Sequence, residues 1–359
     1  MFKDLTHILI CLSAYILIPM NGCFCCMAQS DTLHICFMGD MMMHANQISR
    51  AVKSDGGHDF DSYFSLISDK IHYADLAVAN MEFTLAGEPY TGYPCFSAPD
   101  SFARHIADCG FNILLAANNH IFDKGCEGAL RTLEVYRQLE HSHGTVFTGL
   151  AGDDEERADN TPLIISCKGI KVAFINFTYG TNLGCGAHWP KTNYQGEKEF
   201  LEKALAKAED CADLTIVLPH WGPEYEMQHS EKQENTARWL IENGADMIIG
   251  THPHVIQDTS VINDVQVVYS LGNAVSNMSA ANTQLEYMAD VRIVKDIKGE
   301  TKILPVRLTW LWCSRPGGYG NGYIVVPIEE YINRKEEWTG QWDYDKMMNT
   351  YLSARNRNN

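Results

Sequence analysis

Short apolar runs recur along the chain at Leu33 to Met38, Asp75 to Ala79, Asn112 to Leu115, Leu163 to Cys167, Val172 to Phe177, Leu214 to Leu218, Met247 to Ile249 and Val265 to Leu271. Most are bounded by Gly, Asn or Asp and rich in Ile and Val, which predicts buried strands. Between them lie stretches with helical period: Phe60 to Tyr73, Pro99 to Cys109, Glu127 to Glu140, Gly196 to Ala208 and Ser230 to Asn243. In one of these, Phe200-Leu201, Ala204-Leu205 and Ala208 form the stripe of a helix packed by a single face. Strands alternating with helices in this way predict a layered α/β domain. After Lys295 the character changes. Ile303 to Leu311 and Tyr323 to Pro327 read as late strands, and Tyr344 to Ala354 as a short terminal helix. No Pro-, Ser- or Gly-rich linker interrupts the chain, so the expectation is one main domain over residues 30–295, with residues 296–359 packed on it as strands and a helix.

The N-terminus changes that picture by setting a compartment. Met1-Phe2-Lys3-Asp4 precedes an apolar stretch from Leu5 to Met20, followed by Asn21-Gly22-Cys23. A charged start, a hydrophobic region and a small-residue exit predict a secretory signal over residues 1–28 rather than a spanning helix, which needs roughly 20 apolar residues. A cut before Gln29 would release a soluble protein, and one before Cys23 would leave a lipid-anchored one. Periplasm or cell surface is the expected location. Outside the leader, Cys36, Cys95, Cys109, Cys126, Cys167, Cys185, Cys211 and Cys313 are scattered without C-x-x-C spacing. Most are expected as buried small hydrophobes; disulfides are open to an exported chain, but the spacing does not pair them. The net charge is −17 and no Lys/Arg cluster appears, which excludes nucleic acid as a partner. A polyanionic substrate is also repelled unless a metal supplies local positive charge.

Several predicted strands end in side chains that are costly to bury without partners. The first runs into Gly39-Asp40, the second into Asn80-Met81-Glu82, and the third into Asn118-Asn119-His120 with Asp123 just beyond. Later strands run into Pro219-His220-Trp221 and Gly250-Thr251-His252-Pro253-His254. In open α/β sheets ligands bind at those carboxyl ends. Proline disfavours helix at His252, so an extended chain is expected to point His252 and His254 the same way. Asp, Glu, Asn and His from separate strand ends make a mixed oxygen and nitrogen donor set, suited to Zn, Mn or Fe, with no thiolate. The competing reading of Asp123 is the N-cap of the helix that follows. His44, His141, His143 and His229 are expected at the surface.

Taken in order, Gly39-Asp40-x-Met42, Asn80-x-Glu82, Ala117-Asn118-Asn119-His120-x-x-Asp123-x-Gly125, Thr178-Tyr179-Gly180-Thr181-Asn182, His220-Trp221-Gly222, Gly250-x-His252-Pro253-His254 and Ser270-Leu271-Gly272-Asn273 resemble the CapA-type capsule synthesis proteins. These are the poly-γ-glutamate biosynthesis proteins whose domain is related to calcineurin-like metallophosphatases. The resemblance implies a metallophosphatase-like four-layer αββα sandwich with a small C-terminal extension. It implies one or two divalent ions held by Asp40, Glu82, Asn119, His220, His252 and His254. His120 would be the general acid, with Asp123 orienting it, and Asn80, Asn118, Tyr179 and Trp221 would line a substrate pocket. Two departures stand out. Metallophosphatases carry His two residues after the first Asp, where this chain has Met42, and Glu82 stands in place of the bridging Asp. The expected function is metal-dependent hydrolysis of a phosphoester or related bond in an envelope polymer or a phosphorylated small molecule, alongside capsule-synthesis proteins. The alternative is a non-catalytic, polymer-binding component of a capsule or poly-γ-glutamate assembly apparatus.

Overall fold

A computed structural model describes residues 31–357; the expected leader lies outside the described residues. The fold is carried by two mixed sheets. In the larger, Asp31–Met41, Leu76–Met81, Ile113–Leu115 and Val146–Thr148 run parallel, side by side in that order. On the other flank of Asp31–Met41 come Leu285–Lys295, Arg307–Ser314 and Ile324–Pro327, each antiparallel to its neighbour, with Thr301–Ile303 added to Leu285–Lys295. The smaller sheet is ordered Thr259–Ile262, Val265–Val268, Met247–Ile249, Leu214–His220, Ile170–Thr178, Leu163–Cys167, and its inner strands are parallel.

Alternation along each strand builds the layers. Leu33, Ile35 and Phe37 meet Val172, Phe174, Ile216 and Leu218 of the smaller sheet in a shared core. Cys36 and Met38, on the opposite face, pack with Phe102, Ile106, Leu133 and Tyr136 of the helices Asp100–Asp108 and Gly125–His143. Ile175, Val217 and Ile248 cover Leu201, Leu205 and Leu240 of Lys198–Cys211 and Glu231–Glu242. Helix, sheet, sheet and helix give a four-layer αββα sandwich. The C-terminal helix Gln341–Arg355 sends Met347 and Tyr351 into the core between the sheets, beside Trp312 and Val326. Cys126 and Cys185 form a disulfide, while Cys36 and Cys313 are free and buried.

Two expectations fail for physical reasons. Leu285–Lys295 lies in the middle of the larger sheet, yet Glu286, Asp290 and Arg292 interrupt its apolar pattern and hide it from a search for hydrophobic runs. Of the helix expected over 60–73, only Ser68–Tyr73 forms. The residues before it make turns, with Tyr63 N–H donating to Phe60 O, and the spacing of Phe60, Tyr63 and Phe64 reflects an aromatic cluster with Phe102.

The segment after Val265–Val268 joins the two sheets at their carboxyl ends. Leu271 N–H donates to Gly250 O at 3.1 Å on the smaller sheet. Asp40 N–H donates to Gly272 O at 3.0 Å on the larger, and Met42 N–H to Val275 O at 2.9 Å. Side chains are excluded from this crossing: a Cβ on Gly39 would overlap Gly272 O, and one on Gly250 would overlap Tyr269 O. Gly39→Ala is therefore expected to lower stability by about 3 kcal/mol, the cost of overpacking at a backbone contact. Gly180→Ala, which adds its methyl to open space, should stay within about 0.5 kcal/mol. Chemical denaturation of the two variants checks the difference.

Candidate metal centre

The strand ends deliver their polar residues to one edge of the sandwich, where Asp40, Asn80, Glu82, Asn119, His120, Asp123, His220, His252 and His254 are all buried. Glu82 is at their centre. The Nε2 atoms of His120, His220 and His254 lie 3.9, 3.7 and 3.7 Å from its Oε1. Asp40 is alongside, with Oδ1 accepting from Asn80 Nδ2 at 2.7 Å and Oδ2 accepting from the His252 N–H at 3.2 Å. The other imidazole nitrogens are engaged behind the centre. His254 Nδ1 donates to Asn273 Oδ1 at 2.9 Å, and His220 Nδ1 lies 3.0 Å from Thr251 Oγ1. Partners of this kind fix which nitrogen faces a metal. His220 Nε2 also lies 2.9 Å from Asn119 Oδ1.

Neither oxygen of Glu82 has a hydrogen-bond partner among the described residues, and Asn80 Oδ1 and His252 Nδ1 are likewise unpartnered. Burying a carboxylate in that state is expensive, and the remedy this donor set offers is a cation. Glu82, His220 and His252 present donor atoms within 4.8 Å of one another, as do Asp40, Glu82 and His254. Oxygen and imidazole donors in these groups fit a divalent ion. Burial, and after it the charge of Asp40, holds the Glu82 carboxyl well above the usual carboxylate range. Burial likewise pushes His220 and His252 well below the usual imidazole value, aided by the neighbouring imidazoles, so both are neutral with a lone pair to give.

His252 and His254 reach the centre by a route other than an extended chain. Their φ angles are 98° and 59°, in the left-handed region that residues with a Cβ rarely enter. The His252 N–H bond to Asp40 and the Tyr225 N–H bond to Pro253 O, 2.8 Å, hold the turn. The rings end 5.8 Å apart.

Beside this centre His120 turns Nδ1 to Asp123 Oδ2 at 2.7 Å, and the same oxygen accepts the Phe96 N–H at 2.8 Å. The Phe96 ring stands edge-on to His120 at 4.7 Å. Lys124, not Asp123, is the N-cap of Gly125–His143, so the capping reading of Asp123 fails.

The residues expected to line a pocket divide. Tyr179 is 43% exposed and its ring lies 4.5 Å from that of His252. Trp221 is buried against Tyr269, donating its indole N–H to Tyr269 O, and shows only an edge to a 350 Å³ cleft that Tyr179 and Gln195 also line. Asn80 and Asn118 are internal. Asn118 donates to Met81 O and accepts the His120 N–H, bracing the turn that carries Asn119 and His120. His44 is not a surface residue: it packs on Phe96, and burial pushes its pKa down to about 4. Sequence reading gave no role to Thr251 or Phe96, and Asn273 appeared in it only as the last residue of the Ser270-Leu271-Gly272-Asn273 motif.

A family model described as the bacterial capsule synthesis protein PGA_cap matches residues 34–278. The PGA biosynthesis protein CapA of Bacillus subtilis (strain 168) is 26% identical over 289 residues, 77% of this chain and 72% of that protein. The capsule biosynthesis protein CapA of Bacillus anthracis is 28% identical over 267 residues, 71% of this chain and 62% of that protein. Among solved structures, a putative 5′-nucleotidase from Staphylococcus aureus shares the fold with a TM-score of 0.52 at 12% identity, over 89% of this chain and 58% of that one.

Protonation gives the centre a pH dependence with a definite sign. Glu82 keeps its proton well above pH 4.5 in the metal-free protein and must release it to a cation, whereas His220 and His252 have none to lose. Affinity for Mn²⁺ should therefore rise with pH, by up to about tenfold per unit, with proton release on binding. Calorimetry in buffers of differing ionisation enthalpy reads the proton, and Glu82→Gln should flatten the slope.

Proposed function

From the premise that the chain belongs to the bacterial capsule synthesis protein family PGA_cap, we propose that it is an exported, metal-dependent hydrolase acting on a phosphoester or related bond in capsule or poly-γ-glutamate metabolism. The observation that carries this reading is the buried, unpartnered Glu82 carboxylate ringed by imidazole Nε2 atoms, with a carboxylate-held histidine on its rim. Asp40, Glu82, Asn119, His220, His252 and His254 would hold one or two divalent ions. Such a cation polarises a phosphoryl oxygen and makes water more acidic. His120 presents Nε2 to the same space while Asp123 fixes its ring, which suits it to hand a proton to a leaving oxygen. Tyr179, beside His252 and open to solvent, is placed to contact the rest of the substrate.

The relatives are named for PGA and capsule biosynthesis, which supports an envelope polymer or a phosphorylated precursor as substrate. For a chain of net charge −17 a polyanion is an awkward ligand, and the cation at the site would offset the repulsion locally. Export is supported by the apolar leader and by the Cys126–Cys185 disulfide, a bond at home in oxidising compartments.

The second reading, a polymer-binding assembly component without turnover, draws on Met42. It is buried in the apolar cluster under the larger sheet and gives the centre no imidazole. His120→Ala separates the two. Under the hydrolytic reading, hydrolysis of a phosphodiester panel falls about 10²- to 10⁴-fold with bound metal unchanged. Polymer retention that is indifferent to His120→Ala, with no turnover in the wild type, would replace it with the second.

A further inference from the structure

The loop after Leu214–His220, Trp221-Gly222-Pro223-Glu224-Tyr225-Glu226, is held against the centre along its length. Trp221 N–H donates to Thr251 O at 3.0 Å, Tyr225 N–H donates to Pro253 O at 2.8 Å, and Glu226 O accepts from Gln257 Nε2 at 2.9 Å. Gly222 has φ 93° and lies against the Gln233 side chain, leaving no room for a Cβ; Tyr225, with φ 66°, is held in the left-handed region despite having one. A non-glycine residue stays there only where its surroundings over-determine it, so the direction of this loop is imposed. The result is to aim Glu224. Its carboxylate is solvent-exposed, yet it lies within 4.8 Å of donor atoms of both His252 and His254. The Tyr225 ring beside it stands 6.2 Å from that of His254, and burial followed by the charge of Glu224 pushes the Tyr225 phenol up to about 12.

His254 also belongs to the group with Asp40 and Glu82, the one left short by Met42. Met42 is fixed away from that group, with its N–H on Val275 O and its side chain among Met41, Met43 and Phe96. His252, the other imidazole facing Glu224, has a buried Nδ1 without a partner. We propose that Glu224 is a metal ligand of this centre, supplying from a solvent-facing loop the donor that Met42 does not. The inference rests on the metal-binding reading of the preceding subsection. It makes the centre asymmetric, with buried donors on the sheet side and an exposed, exchangeable carboxylate at the mouth.

The test is a Mn²⁺ titration of the chain without its leader, residues 29–359, by calorimetry and electron paramagnetic resonance, in wild type, Glu224→Gln and Glu226→Gln. Glu226 controls for loss of a charge from the same loop. Glu224→Gln should weaken one Mn²⁺ site by at least about tenfold and alter its resonance spectrum. The thermal midpoint without metal should not move, and Glu226→Gln should bind as wild type does. Wild-type affinity and stoichiometry in Glu224→Gln, or an equal loss in Glu226→Gln, overturns the assignment and leaves the metal centre standing. A wild type that binds no Mn²⁺ overturns both.

Discussion

The centre depends on backbone-to-backbone contact between two sheets whose facing layers are packed through side chains. Facing sheets normally pack about 10 Å apart, with side chains filling the gap. At one edge here the chain from Ser270 to Val275 bridges the gap, accepting the Asp40 N–H on one side and donating to Gly250 O on the other. Glycines 39 and 250 permit the approach, and Gly272, with φ 78°, permits the turn. Ligands on strands of different sheets are thereby brought within one ion's reach. Asn273, from the same bridge, orients His254. The element that joins the layers also sets the tautomer of an imidazole that faces the centre.

That closeness has an electrostatic consequence. Two carboxylates, Asp40 and Glu82, are fully buried side by side near His220 and His252, which burial keeps neutral. Without a cation the cheapest relief is a proton on Glu82. A cation that binds only the folded state adds stability, about 2.7 kcal/mol at a hundredfold excess over its dissociation constant. A cation at Glu82 would thus couple its own occupancy to folding, while the helices on the outer faces remain governed by ordinary apolar packing.

Much of this was legible in the chain, and the failures have specific causes. Met247–Ile249 appeared as an apolar run with the bounds it has in the structure, because both faces of an inner sandwich strand are buried. Leu285–Lys295 escaped because it carries the buried Glu286, whose carboxyl is held well above the usual range by burial and then by the charge of Asp40, and the half-buried Asp290, and so loses its apolar signature. The polar strand ends were visible individually. Their assembly was not: whether Asn118 faces the site or braces its turn depends on hydrogen bonds to Met81 and His120 that no spacing encodes. Glu224 went unnoticed for a similar reason, since nothing in a polar loop marks one glutamate over its neighbour until Tyr225 and Pro253 are seen to aim it.

The same geometry separates what the centre does from what it acts on. His252, His254 and Tyr225 are held in the left-handed region, at about 1–3 kcal/mol each, by bonds to Asp40 and Pro253 and by the packing around them. Strain sustained by so many partners makes the inner ligands hard to alter singly. The exposed rim beyond them has less constraint: the side chains of Tyr179 and Leu183 project from loops and take no part in the bonds that hold the inner ligands. Selection for a different ligand would therefore act on these loops while leaving the buried donors in place. Proteins that share this centre need not share a substrate, and the chemistry of the rim is where this chain's own preference is written.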